Sequence, residues 1–584
     1  MDKKVDLLLV NSLPLRQRTI SDTSLENSLA IIRTYLEDRN YNIKVLDYQR
    51  INNLEKGIPK WCIALLRHIT TMQINAYSNN NKIQAILLMI LSFPFHSLSF
   101  FCKKLFIKGI IKEIVNTVKV NNVPFVGIKV WYGDAYKWST CLSSELRKQC
   151  KETVVIAGGP QVKVYGEAVV EKKQFDLAVM GPGEEVLNQL LELRKKILKK
   201  QDFLKAVLSK NNHSAIIKHD AFLYDKANAN KSSINAIIPK YNKNDLEGKI
   251  YLHTLVDGYG CPWNKCYFCT HTRYKAPYRP RDVKQIIDEI KSMSEMGISF
   301  FRLSSSDTPL THGKKIAQAI LDGNLQINYS MFTRPARVTR ERFETYCLMI
   351  KSGLRAVFIG GETGHDLINN KIMNKGVCRE DIIDTIISIK KAAKITGKSC
   401  RIGLSLIYPC PVTDNVSMQD VYEENISLVK STIPDTVLVN PPGVFPGTRW
   451  FEKAESLGFK FKDSLVHDLM QYEYSIHKPV ELWKKLDISL GDYELRKLAS
   501  ETGRLRREIA SMGIPTDVSD EYLMMSGAIG LKTREQLQQF KTNTLIDTIS
   551  GSTRYTEEIA REINHVSAKI AKHNIKNSSM AVSL

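Results

Sequence analysis

Three cysteines, Cys261, Cys266 and Cys269, stand in a C-x4-C-x2-C spacing inside the segment GYGCPWNKCYFCTHTRY. Thiolates are soft ligands, and three so close in sequence can wrap one metal ion or one iron–sulfur cluster. A structural zinc needs a fourth ligand, for which His253 or His271 could serve. No second CxxC pair completes a four-cysteine zinc ribbon. The chain has 11 cysteines in all, an odd number at irregular spacing, which is no disulfide framework. Cys410, in LIYPCPVTD, could be a hydrogen-atom donor or redox partner, although a small buried thiol is the commoner role.

The elements around the triplet decide what it can do. From Lys249 onward, short strand patterns (IYLHTL, ISFFRL, INYSMFT, RAVFIGG, CRIGLSLIYP, DTVLVN) alternate with helical ones, giving six strand-then-helix units. That is the pattern of a partial parallel βα barrel, whose chemistry gathers at the C-terminal ends of its strands. The triplet falls after the first strand. SSSDTPL, with Ser304 and Ser306, follows the second; Arg334 ends the third; Gly360, Gly361 and Glu362 end the fourth; VNPPGVFPG, with Pro442 and Val444, ends the sixth.

Residues 5–196 make a second such series, with strands VDLLLVN, NIKVLD, PFVGIKV, TVVIAGG and DLAVMG, and predict a doubly wound parallel sheet. A ligand of such a sheet lies beyond the carboxyl ends of its strands. Those ends carry Asn11 and Ser12, Gly133, Gly158 and Gly159, and Gly181 and Gly183 followed by Glu184. None is a GxGxxG fingerprint, so a dinucleotide is not favoured. Trp131, Tyr132 and Trp138 could line a flat ligand or fill the core.

The expected fold class is therefore α/β: a doubly wound domain over 1–196 with a helical insertion at about 49–123, a linker over 197–247, a partial (β/α)6 barrel over 248–460 and a mainly helical domain over 461–584. The insertion holds the most apolar stretch, AILLMILSFPFHSLSFFC, free of formal charge from Ala85 to Cys102. A helical cap on the sheet or over the site, interfacial membrane contact and a membrane span are its three readings. Pro94, His96 and three serines weigh against the span.

At 584 residues, 43% hydrophobic and 25% charged, the chain is too long for one core and too ordinary in composition for wholesale disorder or a disulfide mini-scaffold. Its net charge of +22 fits a nucleic-acid surface, an anionic membrane or a phosphorylated substrate, and equally an A+T-biased composition rich in Lys, Asn and Ile. The N-terminal MDKKVDLLLVNSLPL lacks a signal-peptide cleavage pattern, so a cytoplasmic, reducing location is expected, with membrane association open.

Taken together, the triplet, the aromatic Phe268 before its last cysteine, FIGGETG with its Met-Asn-Lys-Gly turn and the Pro-Gly-Thr turn after the sixth strand resemble the radical S-adenosylmethionine (radical SAM) enzymes. VIAGGPQV and DLAVMGPGEEVLNQLL resemble segments of the members with an N-terminal cobalamin-binding domain. The chain departs from the family in having four rather than three residues between the first two cysteines, in Gln161 and Pro182 where His and Glu are usual, and in lacking the D-x-H-x-x-G motif whose histidine ligates cobalt.

The resemblance implies a [4Fe–4S] cluster on Cys261, Cys266 and Cys269, and S-adenosylmethionine contacts from Phe268, Ser304, Ser306, Arg334, Gly360, Gly361, Glu362, Pro442 and Val444. It further implies cobalamin contacts from Asn11, Ser12, Gly133, Gly158, Gly159, Gly181, Gly183 and Glu184. The implied reaction is methylation of an unactivated carbon of a natural-product or lipid-like small molecule, through a 5′-deoxyadenosyl radical and methylcobalamin, with electrons from a flavodoxin or ferredoxin. Cyclisation or rearrangement without methyl transfer and RNA methylthiotransfer are the alternatives, and a zinc-binding module is the non-enzymatic one. Methylthiotransfer would need a second cluster, whereas Cys62, Cys102, Cys141 and Cys150 are scattered singly, so a nucleic-acid partner is not expected.

Overall fold

The computed structural model describes residues 4–15, 20–79, 81–218, 236–274, 278–472, 483 and 485–582. The first sheet holds β1 (Leu7–Asn11), β2 (Ile43–Leu46), β3 (Phe125–Lys129), β4 (Val154–Gly158), β5 (Leu177–Met180) and β6 (Ile216–Lys218) in the order β2-β1-β3-β4-β5-β6, all parallel. Side chains alternate between faces along each strand. Leu8, Val10, Val126 and Ile128 join one core cluster, while Leu7, Leu9, Phe125 and Val154 join another on the opposite face. Helices cover both, as a buried parallel sheet requires.

The sixth strand is a correction. Residues 197–247, expected as a linker, contribute the helix Lys200–Lys210 and β6, which pairs with β5. The strand is only three residues long and is flanked by Asn, Ser and Lys, so its apolar pattern is too short to read; the neighbouring edge supplies its hydrogen bonds. Residues 219–235 of that segment lie outside the described residues.

The second sheet comprises β7 (Leu252–Leu255), β10 (Phe300–Leu303), β11 (Asn328–Thr333), β12 (Leu354–Glu362), β13 (Arg401–Ile407) and β14 (Thr436–Asn440), parallel and in sequential order, with the small hairpin β8 (Gly258–Tyr259) and β9 (Arg279–Pro280) at the mouth. Phe301, Leu303, Met331 and Val357 face the outer helices. Phe300, Ala356 and Phe358 face inward, against Leu523, Met524 and Met525 of the helix Asp520–Ala528. An open barrel leaves its concave face bare, and this C-terminal helix fills it. Its Asp520 carboxylate accepts from Arg302 at 3.0 Å and Ser330 at 2.7 Å.

The C-terminal part is mainly helical, but it begins with a small antiparallel sheet of β15 (Phe459–Phe461), β16 (Ile488–Leu490) and β17 (Tyr493–Glu494). The two parallel sheets are cross-braced by buried pairs, Lys249 with Asp47 at 2.6 Å and Arg33 with Asp245 at 2.7 Å. The Asn27 side chain also donates to the Thr254 carbonyl at 2.6 Å.

The apolar insertion is one 39-residue helix, Lys82–Val120, paired with the helix Lys60–Ser78. Its C-terminal half, with Ile107, Ile110, Ile114 and Val118, is buried on the first sheet. The expectation of a buried cap fails for the other half. There Ala85, Leu88 and Ser92 point inward, while Ile86, Leu87, Ile90, Leu91 and Phe93 are exposed.

Candidate active site

Beyond β7 the chain passes through Asp257 into the cysteine loop. Asp257 is fully buried; its carboxylate accepts the Ser305 amide and the Thr308 hydroxyl, each at 2.9 Å, and its carbonyl accepts the Arg281 amide at 2.9 Å. One residue thus ties the exit of β7 to the loop after β10 and leaves Ser304 and Ser306 exposed beside the cysteines. Ser306 Oγ shares a 2.7 Å hydrogen bond with His271 Nε2. Burial, with Lys163 nearby, holds His271 down at about 4, so its ring is neutral at pH 7.

The cysteine loop is stitched to the turn after β12. The Tyr267 amide donates to the Met373 carbonyl at 2.9 Å, the Trp263 indole to the Asn374 carbonyl at 2.8 Å and the Asn374 side chain to the Lys265 carbonyl at 2.9 Å. Trp450 closes the circle: its amide donates to Tyr267 and its indole to Ile372, both at 3.0 Å, with its ring 5.7 Å from that of Phe268. Gly376 has φ +64°, and a Cβ there would stand 2.4 Å from the Trp263 ring. Arg334 lies over Trp263 at 4.1 Å and donates to the Lys375 carbonyl at 2.8 and 3.0 Å. Its guanidinium is engaged in holding this turn.

Glu362 ends β12 with φ +62° and meets Lys375 Nζ at 2.6 Å, both side chains being buried. A Cβ at Gly360 would come to 2.8 Å of both Glu362 Oε1 and Lys375 Nζ and would displace the pair; one at Gly361 would stand 2.8 Å from Leu404. Lys375 is held above its usual range because Glu362 and the Cys266 and Cys269 thiols outweigh its burial.

Burial pushes the Cys266 thiol up to about 12 and raises Cys269, while Lys375 pulls both down. Cys266 is raised further by Cys269 and Cys261, and Cys269 by Cys261, so the three thiols lie close enough to sense one another. Metal ligation deprotonates such thiols outright, and Lys375 is placed to offset the charge. Among the described residues no three His, Cys, Asp or Glu side chains are close enough for a single ion. His253 has both ring nitrogens committed, to Tyr241 at 3.0 Å and Glu289 at 2.7 Å. Of the two histidines that could complete a zinc site, His253 is thus committed at both nitrogens and His271 at Nε2, to Ser306.

The C-terminal edge of the first sheet looks onto this loop. On the helix Pro160–Tyr165, Tyr165 meets Phe445 of the turn after β14 with ring centroids 6.2 Å apart, Lys163 is close enough to Cys269 to feel its charge, and Glu184 bears likewise on Tyr259. Asn11 Oδ1 and Ser12 Oγ, at the end of β1, are buried polar atoms with no partner among the described residues. A Cβ at Gly158 would meet open space, Gly181 is exposed, and Gly183 borders the half-buried start of the helix Glu184–Lys196. Gly159 has φ +89° and backs onto Lys129. Gly133 is covered: its amide donates at 3.0 Å to the Met470 carbonyl of the helix Leu465–Gln471. The ends of β1, β4 and β5 thus offer polar and open groups to a ligand, while that of β3 is capped by the chain itself. Trp138 is core, and Tyr132 is exposed.

Pro442 is half-buried and Val444 buried at the end of β14. Cys410 is fully buried in the barrel core, its thiol pushed up to about 12 by that burial. Asp257, Trp263, Lys375 and Trp450 organise the site without having been singled out by spacing. The Met-Asn-Lys-Gly turn held the signal for Lys375, a cation placed beside a Gly-Gly-Glu strand end.

The family model described as the radical SAM superfamily matches residues 255–404, the cysteine loop through β13. The chain carries a radical SAM domain. Two curated relatives are anaerobic magnesium-protoporphyrin IX monomethyl ester cyclases. That of Cereibacter sphaeroides is 24% identical over 264 residues, 43% of this chain and 41% of the relative. That of Rubrivivax gelatinosus is 22% identical over 267 residues, 44% and 46% of the two chains. The match thus spans less than half the length of these relatives. The solved structure of the radical S-adenosylmethionine methyltransferase TsrM from Kitasatospora setae, with cobalamin and a [4Fe–4S] cluster bound, superposes with a TM-score of 0.60 at 14% identity, covering 93% of this chain and 100% of that one. The likeness is one of fold, and it extends from the doubly wound sheet through the radical SAM domain to the C-terminal helices.

Proposed function

We propose that this radical SAM protein is a cobalamin-dependent enzyme that methylates an unactivated carbon of a small, natural-product or lipid-like molecule. The observation that carries the reading is the meeting of two parallel sheets at their C-terminal edges: Tyr165, after β4 of the first, meets Phe445, after β14 of the second, with ring centroids 6.2 Å apart, and Lys163 on the same helix lies near enough to Cys269 to feel its charge. When bound, a [4Fe–4S] cluster supplies the electron for reductive cleavage of S-adenosylmethionine, and cobalamin supplies a transferable methyl group.

The chain's own residues position and shield these groups. Cys261, Cys266 and Cys269 would hold the cluster, with Lys375 offsetting thiolate charge from behind. Ser304 and Ser306 are exposed hydroxyls beside the loop, suited to the polar part of S-adenosylmethionine. The buried, unpaired Asn11 Oδ1 and Ser12 Oγ and the open face at Gly158 fit cobalamin on the first sheet. The loop after β1 contains no histidine that could be offered to cobalt. Electrons would come from a flavodoxin or ferredoxin.

Anaerobic turnover with methyl-deuterated S-adenosylmethionine tests the reading: label recovered in a product heavier by one methyl group supports it, and cobalamin-free turnover with no label in any product rejects it. The cyclase relatives favour a second reading, ring closure without methyl transfer. Its signature is a product that has lost hydrogen and gained no label.

A further inference from the structure

We propose that the exposed face of the helix Lys82–Val120 docks this protein on an anionic phospholipid bilayer, lying in the interface without crossing it. At 100° per residue, Ile83, Ile86, Leu87, Ile90, Leu91, Phe93, Phe101 and Leu105 fall within an arc of about 160°. All eight are exposed, Ile83 at 76% and Phe93 at 71%. The inward residues Ala85, Leu88 and Ser92 lie on the opposite side of the same turns. From Ile83 to Phe101 the stripe runs about 27 Å. Isolated apolar side chains on a surface need no explanation, but a contiguous stripe of this size marks a contact.

The charge on the same face says what covers it. Continuing along the helix, Lys104, Lys108, Lys112 and Lys119 fall in the same arc and are exposed. None has a carboxylate partner among the described residues. The helix has a single acidic residue, Glu113, which points away from this face and accepts the Tyr48 hydroxyl at 3.2 Å. An apolar stripe that passes into a lysine stripe matches acyl chains beside anionic headgroups. A second copy docked by the same face would bring no carboxylate to these lysines.

Crossing the bilayer is disfavoured by the neighbours. The helix is long and apolar enough to span, but its C-terminal half is locked into the core of the first sheet. Its partner Lys60–Ser78 carries Arg67 and His68 midway, and the connection between them reads Asn79-Asn80-Asn81. A hairpin so built can lie in an interface but not pass through hydrocarbon.

Flotation of the cluster-loaded full chain with two kinds of vesicle tests this: phosphatidylcholine alone, and phosphatidylcholine with phosphatidylglycerol. Retention on the anionic vesicles, weakened by salt, is expected. The exposed-residue variant L87S/F93S should lose retention, and K104Q/K108Q/K112Q should bind about 100-fold more weakly, both keeping wild-type helicity and iron content. Retention of either variant at the wild-type level overturns the proposal. So does absence of binding at low salt. A dimer seen by light scattering that L87S/F93S dissociates, with no vesicle retention, would overturn it in favour of self-association. Resistance of the hairpin to protease added outside sealed vesicles, with new fragments protected inside, would overturn it in favour of a span.

Discussion

Replacing Lys375 by Met tests the most concentrated electrostatic feature of the site. In the native chain its ammonium and the Glu362 carboxylate stand 2.6 Å apart with only 11% and 9% of their side chains exposed. Glu362 is further fixed by a left-handed backbone, and the pair fills the space beside Gly360. Losing one partner of such a buried pair leaves the other charged and desolvated, a cost of about 3–5 kcal/mol. The two single substitutions should not be equivalent. K375M leaves Glu362 facing the ligating Cys266 and Cys269 without the ammonium that pairs with it at 2.6 Å, whereas E362Q leaves Lys375 beside thiolates that can balance it. In anaerobic denaturant titrations of the cluster-loaded protein, K375M should therefore fall by several kcal/mol and E362Q by markedly less, and K375M/E362Q should recover much of the K375M loss. Cluster retention on a desalting column should follow the same order. Equal, additive losses from the two single variants would refute the reasoning, because they would mean that neither group senses the other or the thiolates.

Other consequences follow from the same geometry. G376A forces a side chain into a left-handed backbone and onto Trp263, so iron incorporation on reconstitution should drop and should partly recover in G376A/W263L; unchanged iron content would contradict the role given to the turn. Asp520 is raised to about 7 by burial and by its neighbour Glu521, in spite of Arg302. A carboxyl raised on folding binds its proton more tightly in the native state, so its contribution is present below about pH 4 and is lost as pH rises toward 7. Wild-type unfolding midpoints should decline across that window, and D520N should flatten the slope; a parallel slope in D520N would remove Asp520 as the cause.

Where the periodicities were long and clean, the sequence could be read directly. All six barrel strands and five strands of the first sheet are where alternation and apolar runs predict them, because all but the edge strand β2 are largely buried on both faces and have few ways to hide their pattern. β6 escaped because three residues cannot carry a period. The helix Asp520–Ala528 could be foreseen as a helix, but its place inside the barrel depends on a concavity created by strands more than a hundred residues away. The cysteine triplet was legible because ligand spacing is local. The groups that hold it, Asp257, Trp263, Lys375 and Trp450, act through tertiary hydrogen bonds and one ion pair, which leave no spacing rule. Arg334 shows the reverse: its position at a strand end suggested a ligand contact, and its donors are directed to the Lys375 and Gly376 carbonyls. The exposed half of the helix Lys82–Val120 could not be told from a buried cap by composition, since both are apolar; only the direction of Ala85, Leu88 and Ser92 separates them.

What the three cysteines bind decides the chemistry of this protein. Anaerobic reconstitution with iron and sulfide, followed by a reductant and S-adenosylmethionine, should give about four irons per chain and release 5′-deoxyadenosine. A variant with Cys261, Cys266 and Cys269 all changed to Ala should do neither. Cleavage of S-adenosylmethionine by that variant, or stoichiometric zinc in place of iron in the wild-type protein, would contradict a cluster on these cysteines.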